Sequence, residues 1–395
     1  MSTNPPQGFL FSSCTAGIKA SGKPDLALIH IPDGASAAAM FTRNQVVAAP
    51  LIVGREHLQA SAGQVHAVII NAGNANCATG KPGIKAAQQV CADLARKLKI
   101  NPTLVFPSST GIIGMPLPVE KITAAVPGLI GTEQGDAEAF EAFANAILTT
   151  DTHRKIASQS IVHGGVEVRV VGVAKGAGMI HPNMATMLVY LLTDAIAAPK
   201  ELQRSLRKAA DQSFNNISID GDTSTNDTVL LLASGKSGVL VKQVAQEFDK
   251  AVQKVCRSLA GQIVADGEGV KHVVRLNIEQ AKTVEQARQI ARTIATSPLV
   301  KTAWAGADPN WGRILAAIGR SGVPIDQERI SIYLGDQQIC RKGGACPFDA
   351  AKANQYMSEP AYEIRVILGA GDKNLEFLSC DLTAEYVRIN ADYST

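Results

Sequence analysis

No apolar run in this 395-residue chain approaches the roughly 20 residues that a helix needs to cross a bilayer. The opening Met1-Ser2-Thr3-Asn4-Pro5-Pro6 lacks the basic-then-apolar profile of a secretion signal, so the expectation is a cytoplasmic chain without a membrane partner. Aromatic residues are scarce, at 5%, and no basic run is interleaved with them, which argues against a surface that stacks bases. The formal net charge of +3 is too small to draw nucleic acid electrostatically. Cysteine is sparse and scattered: Cys14, Cys77, Cys91, Cys256, Cys340, Cys346 and Cys380 form no C-x-x-C pair. Cys340 and Cys346 lie closest in sequence, but no histidine completes a zinc spacing, so free and mostly buried thiols are expected. The G-x-G-x-x-G, P-loop, H-E-x-x-H and G-x-S-x-G signatures are missing, which removes the standard nucleotide-binding, zinc-hydrolase and serine-hydrolase readings.

What is present is a globular composition, 46% hydrophobic and 18% charged, long enough for two domains or one large domain with a smaller lobe. Apolar periodicity predicts strands over 67–71, 104–106, 166–174, 187–192, 228–233, 273–278, 330–334, 364–368 and 386–389. Helices are predicted from Pro82, from an Asp136 cap through Phe140, Phe143 and Ile147, from Pro199 to Phe214, over 240–259, and from a Thr283 capping box to Ile294. The chain is therefore α/β, with sheets covered by helices. Such alternation ordinarily suggests a doubly wound parallel sheet, but the missing glycine fingerprint weakens that reading.

Polar, glycine-rich segments follow several of these strands, where α/β proteins build sites. They are 71–76, 108–111, 175–178, 220–227, 266–269 and 307–313. Each alone is more often a surface turn; six in one chain favour a composite site. Asp220-Gly221-Asp222 has the carboxylates of a calcium loop but not its register, and no bidentate glutamate follows. The most informative stretch is Lys175-Gly176-Ala177-Gly178-Met179-Ile180-His181-Pro182-Asn183-Met184-Ala185-Thr186. A glycine-bearing loop there ends in Ala185-Thr186, at the mouth of an apolar strand. Were that bond cut, Thr186 would carry both a hydroxyl nucleophile and an α-amine to serve as its base.

This stretch, continued through Met187-Leu188, closely resembles the self-cleaving motif of the ornithine acetyltransferases of arginine biosynthesis. Residues 71–80, 108–114, 220–228, 266–269, 308–313 and 390–395 are similar to the same family, in the expected order along most of the chain. The resemblance implies an αββα-type sandwich like that of N-terminal-nucleophile hydrolases but differently connected, plus a smaller lobe. It implies self-cleavage between Ala185 and Thr186, giving an α chain of 1–185 and a β chain of 186–395 that together form one catalytic unit. A heterotetramer of two α and two β chains is implied as well.

The implied activity is transfer of acetyl from N2-acetylornithine to glutamate through an acetyl-Thr186 ester, with no cofactor. Some family members also take acetyl from acetyl-CoA, which the sequence leaves open here. By matching position, Thr110 and Gly111 form the oxyanion hole, and Thr152, Lys175, Thr186, Glu268, Asn390 and Thr395 contact substrate. Away from the family pattern, Lys175 reads as a surface lysine, Glu268 as a turn carboxylate, Thr152 as a helix-end hydroxyl and 390–395 as a frayed tail. Two other readings remain at this level: a self-processing aminopeptidase or amidase that passes its acyl group to water, and a non-catalytic amino-acid-binding module that stays as one intact chain.

Overall fold

A computed structural model describes residues 3–181 and 187–392. Ala185, Thr186 and Thr395 lie outside the described residues. The elements run β1 (Leu10–Cys14), β2 (Leu26–Phe41), α1 (Ala49–Ala60), β3 (Gln64–Asn74), α2 (Gly80–Leu98), β4 (Val105–Ile112), α3 (Val119–Leu129), α4 (Ala137–Ala146), β5 (Lys155–His163), β6 (Val166–Lys175), β7 (Leu188–Thr193), α5 (Pro199–Asp211), β8 (Ile217–Ser218), β9 (Thr228–Ala233) and α6 (Ala245–Ala265). A second lobe follows: β10 (Val273–Ala281), α7 (Val284–Ala295), α8 (Pro298–Ala305), α9 (Trp311–Gly319), β11 (Ser331–Leu334), β12 (Gln337–Arg341), β13 (Gly344–Ala345), α10 (Ala350–Met357), β14 (Ala361–Ile367), β15 (Lys373–Cys380) and α11 (Ala384–Asp392).

The first lobe is one mixed sheet, ordered β4-β3-β2-β9-β7-β6-β5, with β1 added on β2. Its long strand β2 does two jobs. Residues 26–30 pair with β1 and β3, and residues 36–41 pair with β9, across a register break at Pro32-Asp33-Gly34. The two halves of the sheet therefore fold over each other. Ile29, Val68 and Ile70 of one half share a core with Val171, Val173, Tyr190, Leu192, Leu230 and Leu232 of the other. Helices α2 and α3 cover the outer face of the first half through Val90, Leu94, Ile122 and Val126. Helices α5 and α6 cover the second through Leu202, Leu206, Phe248, Val252, Val255 and Leu259. The result is an αββα sandwich.

This layering explains the sequence of β7, Leu-Val-Tyr-Leu-Leu-Thr, in which every residue is buried. A strand covered on both faces has no use for alternation and reads as a continuous apolar run. Burying a large apolar side chain contributes roughly 1.5–3 kcal/mol, so the buried face of α6 is a major part of what holds this half closed.

The second lobe is a sheet ordered β13-β12-β11-β14-β10-β15-β8. One face packs Leu276, Ile278, Ile364, Val366 and Phe377 on Ile290, Ile294, Trp304 and Ile318 of α7–α9. The other face is polar, with Arg365 paired to Glu279 at 2.9 Å. Strand β8 carries the connection between the lobes: it pairs in parallel with β15, and the Ser379 hydroxyl donates to Ser218 O at 2.8 Å.

The Asp136 cap holds, and of the Thr283 capping box the N-cap half is present. The Asp136 side chain accepts from Ala139 N and that of Thr283 from Gln286 N. Three expectations are corrected. The strand predicted at 104–106 runs on to Ile112, so 108–111 is strand rather than loop, because β3 pairs alongside it residue by residue. The helix predicted from 240 is a 3-10 turn at Val241–Gln243, and the α-helix starts at Ala245. The strand predicted at 386–389 is part of α11, where Thr383 accepts from Tyr386 N and Glu385 pairs with Arg388 one turn on.

Candidate active site

Strands β3 and β4 run parallel, setting Ala72 beside Thr110 and Gly73 beside Gly111, with a bulge at Asn74. Hydrogen bonds from three of the polar segments fix these strand ends. Ser109 Oγ donates to Asn71 Oδ1 at 2.6 Å, and Asn71 Nδ2 donates to Asn74 O at 2.8 Å. Asn226 Nδ2 donates to both Ala75 O and Ser109 O, at 2.6 and 2.9 Å, while its Oδ1 accepts from Thr225 Oγ1. Gly111 sits at φ +129°, and a β-carbon there would run into the Gly73–Asn74 backbone. Only glycine lets the two strand ends approach this closely.

Antiparallel pairing of β6 with β7 puts Lys175 opposite Leu188. The proposed cleavage stretch is thus part of the link between these strands, and Met187 O accepts from Thr228 N at 3.0 Å as the chain re-enters the sheet. Lys175 is buried, at 7% exposure, and its Nζ donates to Thr110 Oγ1 at 3.2 Å. A carboxylate, Asp151 Oδ2, lies 3.9 Å from the same nitrogen. Burial pulls the Lys175 ammonium below its usual pKa, with Asp151 opposing. Burial also pushes the Asp151 carboxyl up, but Lys175 and Lys155 outweigh it and bring it down to about 2.

A cavity of about 320 Å³ opens here, lined by Thr110, Gly111, Lys175, Glu268 and Asn390 among others. Five of the residues singled out from sequence, separated by up to 280 positions, share one wall system. Glu268 is half-buried and accepts from Asn390 Nδ2 at 2.8 Å. Thr152 does not line the cavity. Its amide and hydroxyl both bond Asp266, and its neighbours Thr149 and Thr150 form that wall instead. The 308–313 segment is also elsewhere: Asn310 caps α9 by accepting from Arg313 N at 3.1 Å, the ordinary reading of such a turn.

Two groups, Asp151 and Tyr386, escaped sequence reading, and Asp220 was marked only as part of the 220–227 segment. Asp151 precedes Thr152 and stands four residues before Lys155, a weak local hint. Asp220, in the same cavity, accepts from the Met179 and Ile180 amides at 2.5 and 2.9 Å, and burial raises its carboxyl pKa. Tyr386 joins the lining from α11, where a strand was expected, and burial raises its phenol. The seven cysteines are free, five of them buried. Among the described residues, no helix is long and apolar enough to cross a membrane.

Comparison with known proteins is consistent along the chain. The ArgJ family model matches residues 10–395. The arginine biosynthesis bifunctional protein ArgJ of Thermus thermophilus is 44% identical over 395 residues, covering 100% of both chains. ArgJ 1 of Nostoc sp. is 43% identical over 405 residues, covering 99% of this chain and 97% of that one. Among solved structures, the arginine biosynthesis bifunctional protein ArgJ of Bacillus halodurans is 39% identical with a TM-score of 0.50, over 52% of this chain and 98% of that one.

Proposed function

The chain belongs to the ArgJ family, and on that premise we propose that it moves the acetyl group of N2-acetylornithine to glutamate through an ester on Thr186. The observation that carries this reading is the convergence of Thr110, Gly111, Lys175, Glu268 and Asn390 on one cavity next to the strand that follows Thr186. The relatives' naming as arginine biosynthesis proteins favours a biosynthetic transferase over a hydrolytic amidase.

In the precursor, the Thr186 hydroxyl attacks the Ala185 carbonyl, and water opens the resulting ester into chains 1–185 and 186–395. The Bacillus halodurans chain is matched over 98% of its length yet spans 52% of this chain, as one of two fragments of a family member would. Such a cut leaves one body, because β7 and β9, from the second piece, lie between β6 and β2 of the first. The freed α-amine, with an ordinary pKa of about 7.7–8.0, is neutral often enough near neutrality to take the hydroxyl proton.

Thr186 Oγ then attacks the acetyl carbonyl. The oxyanion is held by the Thr110 hydroxyl and the Gly111 amide, the ornithine amine departs with the proton, and the acetyl ester remains. Glutamate's neutral amine attacks that ester in the second half, regenerating the hydroxyl. Lys175 faces the amino-acid carboxylate, and Glu268 with Asn390 faces the ornithine ammonium. Thr152 and Thr395 are the remaining contacts that family position implies, and Thr152 reaches substrate only by giving up its bonds to Asp266. The reaction needs no cofactor; acetyl-CoA is a candidate second donor. The working form is a cytoplasmic assembly of two α and two β chains.

Intact mass of wild type and Thr186→Ala tests the cut: two fragments are expected from the first and one chain from the second. Incubation with N2-acetylornithine, with and without glutamate, tests the transfer. Acetylglutamate is expected; free acetate without acetylglutamate would overturn the reading.

A further inference from the structure

The buried charges behind the cavity wall are more elaborate than substrate binding requires. The Asp151 side chain is fully buried. Its Oδ1 accepts from Lys155 Nζ at 2.7 Å and from Gly176 N at 2.6 Å, and its Oδ2 accepts from Thr149 N at 3.0 Å. Lys155 Nζ also reaches Asp266 Oδ2 at 2.5 Å and His153 O at 3.2 Å. Lys155 thereby bridges two carboxylates, and the one nearer the cavity stands 3.9 Å from Lys175.

We propose that Asp151 is a positioning residue for acyl transfer: it keeps the Lys175 ammonium charged and set against Thr110, which obliges the Thr110 hydroxyl to donate into the cavity. The inference rests on the acetyl-transfer reading above. An ammonium has three donors and no acceptor. At the 3.2 Å contact, therefore, Lys175 donates and Thr110 Oγ1 accepts. The Thr110 proton must point away from Lys175, and Thr110 itself lines the cavity that can receive it. An oxygen that accepts from a cation is polarised into a better donor. A neutral Lys175 would reverse the polarity, since its lone pair could take the Thr110 proton and leave the oxyanion without that donor.

Four ionisable groups act on the Lys175 charge from the surrounding elements. Asp151, from the turn before β5, favours it, as do Glu268 after α6 and Asp227 before β9, whereas Lys155 of β5 disfavours it. Lys19, after β1, feels Lys175 as well and is itself brought down to about 8, chiefly by burial. Removing Asp151's charge should make Lys175 easier to neutralise, and removing Lys155's charge should make it harder.

The test is the pH profile of kcat and KM for acetylglutamate formation by the mature two-chain protein, in wild-type and Lys19→Gln backgrounds. Asp151→Asn should lower kcat roughly ten- to hundredfold, up to the lower end of what loss of one oxyanion donor costs, and should raise KM as well, because Lys175 also faces the substrate carboxylate. Its alkaline limb should move to lower pH. Lys155→Gln should move the limb to higher pH, and Asp151→Glu should recover part of the lost kcat. A merely structural role would lower the active fraction without moving the limb; limbs that stay put, or move the same way in both variants, overturn the inference. If Asp151→Asn does not mature, Asp151→Glu and Lys155→Gln decide: an unmoved limb in both overturns it. If the wild type itself forms no acetylglutamate, the proposed function fails instead, which separates the two failures.

Discussion

The carboxylate of Glu268 fills the space that a β-carbon on Gly178 would occupy. Gly178 is not in the left-handed region, so alanine there is free of backbone strain, and the atoms it meets first are those of the Glu268 carboxylate. Displacing that carboxylate also threatens the 2.8 Å bond from Asn390 to Glu268. Gly178→Ala should therefore raise KM for N2-acetylornithine about tenfold, roughly 1.4 kcal/mol of lost binding. The melting temperature should barely change. Steady-state kinetics beside a thermal melt separates the two; an unchanged KM would remove Glu268 from the binding site.

Thr110 carries a different expectation because, in the proposed reaction, its hydroxyl acts on charge that develops in the transition state. Thr110→Val keeps the buried volume and removes the donor. A single oxyanion donor is typically worth about 3 kcal/mol of barrier, so kcat should fall about a hundredfold with KM little changed. Gly111→Ala should be far worse, since the new methyl collides with the Gly73–Asn74 backbone. Single-turnover acetylation of Thr186, followed by mass, would locate the loss in the acyl-transfer step.

These two sites show what the sequence could and could not reveal. Residues 108–111 stand out in the sequence only as a polar, glycine-bearing segment, with the oxyanion role of Thr110-Gly111 implied by the resemblance; they read as a loop, and only pairing with a strand 38 residues earlier makes them a strand. The αββα layering depends on β2 changing partners halfway, a long-range event with no local periodicity to announce it. Tyr386 to Ile389 failed for the opposite reason. Their period-2 look is local, and a Thr383 cap with a Glu385–Arg388 pair overrides it. Asp151 matters only because folding brings Lys175 and Lys155 to it.

Acid stability should report that cluster directly. The Asp151 carboxyl sits at about 2 in the folded chain, below an unfolded value near 3.9. A carboxyl lowered on folding stabilises the fold at pH above its unfolded value, and that contribution disappears as pH falls through the folded one. It amounts to roughly 2–3 kcal/mol at neutral pH. Burial raises the Asp266 carboxyl too, but its bonds to Lys155 and Thr152 leave it lowered, in the same direction. Denaturation curves at successive pH values should show wild type losing stability between about pH 5 and pH 2. The gap between wild type and Asp151→Asn should close across that window; a constant gap would mean the charge is not what Asp151 contributes.

Asp220 carries an expectation for the cut. It accepts from Met179 N at 2.5 Å, Ile180 N at 2.9 Å and Asp222 N at 3.1 Å, so one side chain ties down the chain five to six residues before Ala185. Met179 has a left-handed backbone, φ +57°, which a β-carbon-bearing residue holds only at some cost. Two amide bonds to a carboxylate, each worth about 1.5–3 kcal/mol when one partner is charged, are enough to offset it. Asp220→Ala frees this segment, and the attacking hydroxyl then samples its target less often. Asp220→Asn keeps a single acceptor oxygen for amides that now share two. The expected order of self-cleavage is wild type, then Asp220→Asn, then Asp220→Ala, with intact precursor persisting longest in the last. Intact-mass time courses after synthesis at constant temperature measure this order. Equal cleavage in all three would show that the anchored segment plays no part in presenting the Ala185–Thr186 bond.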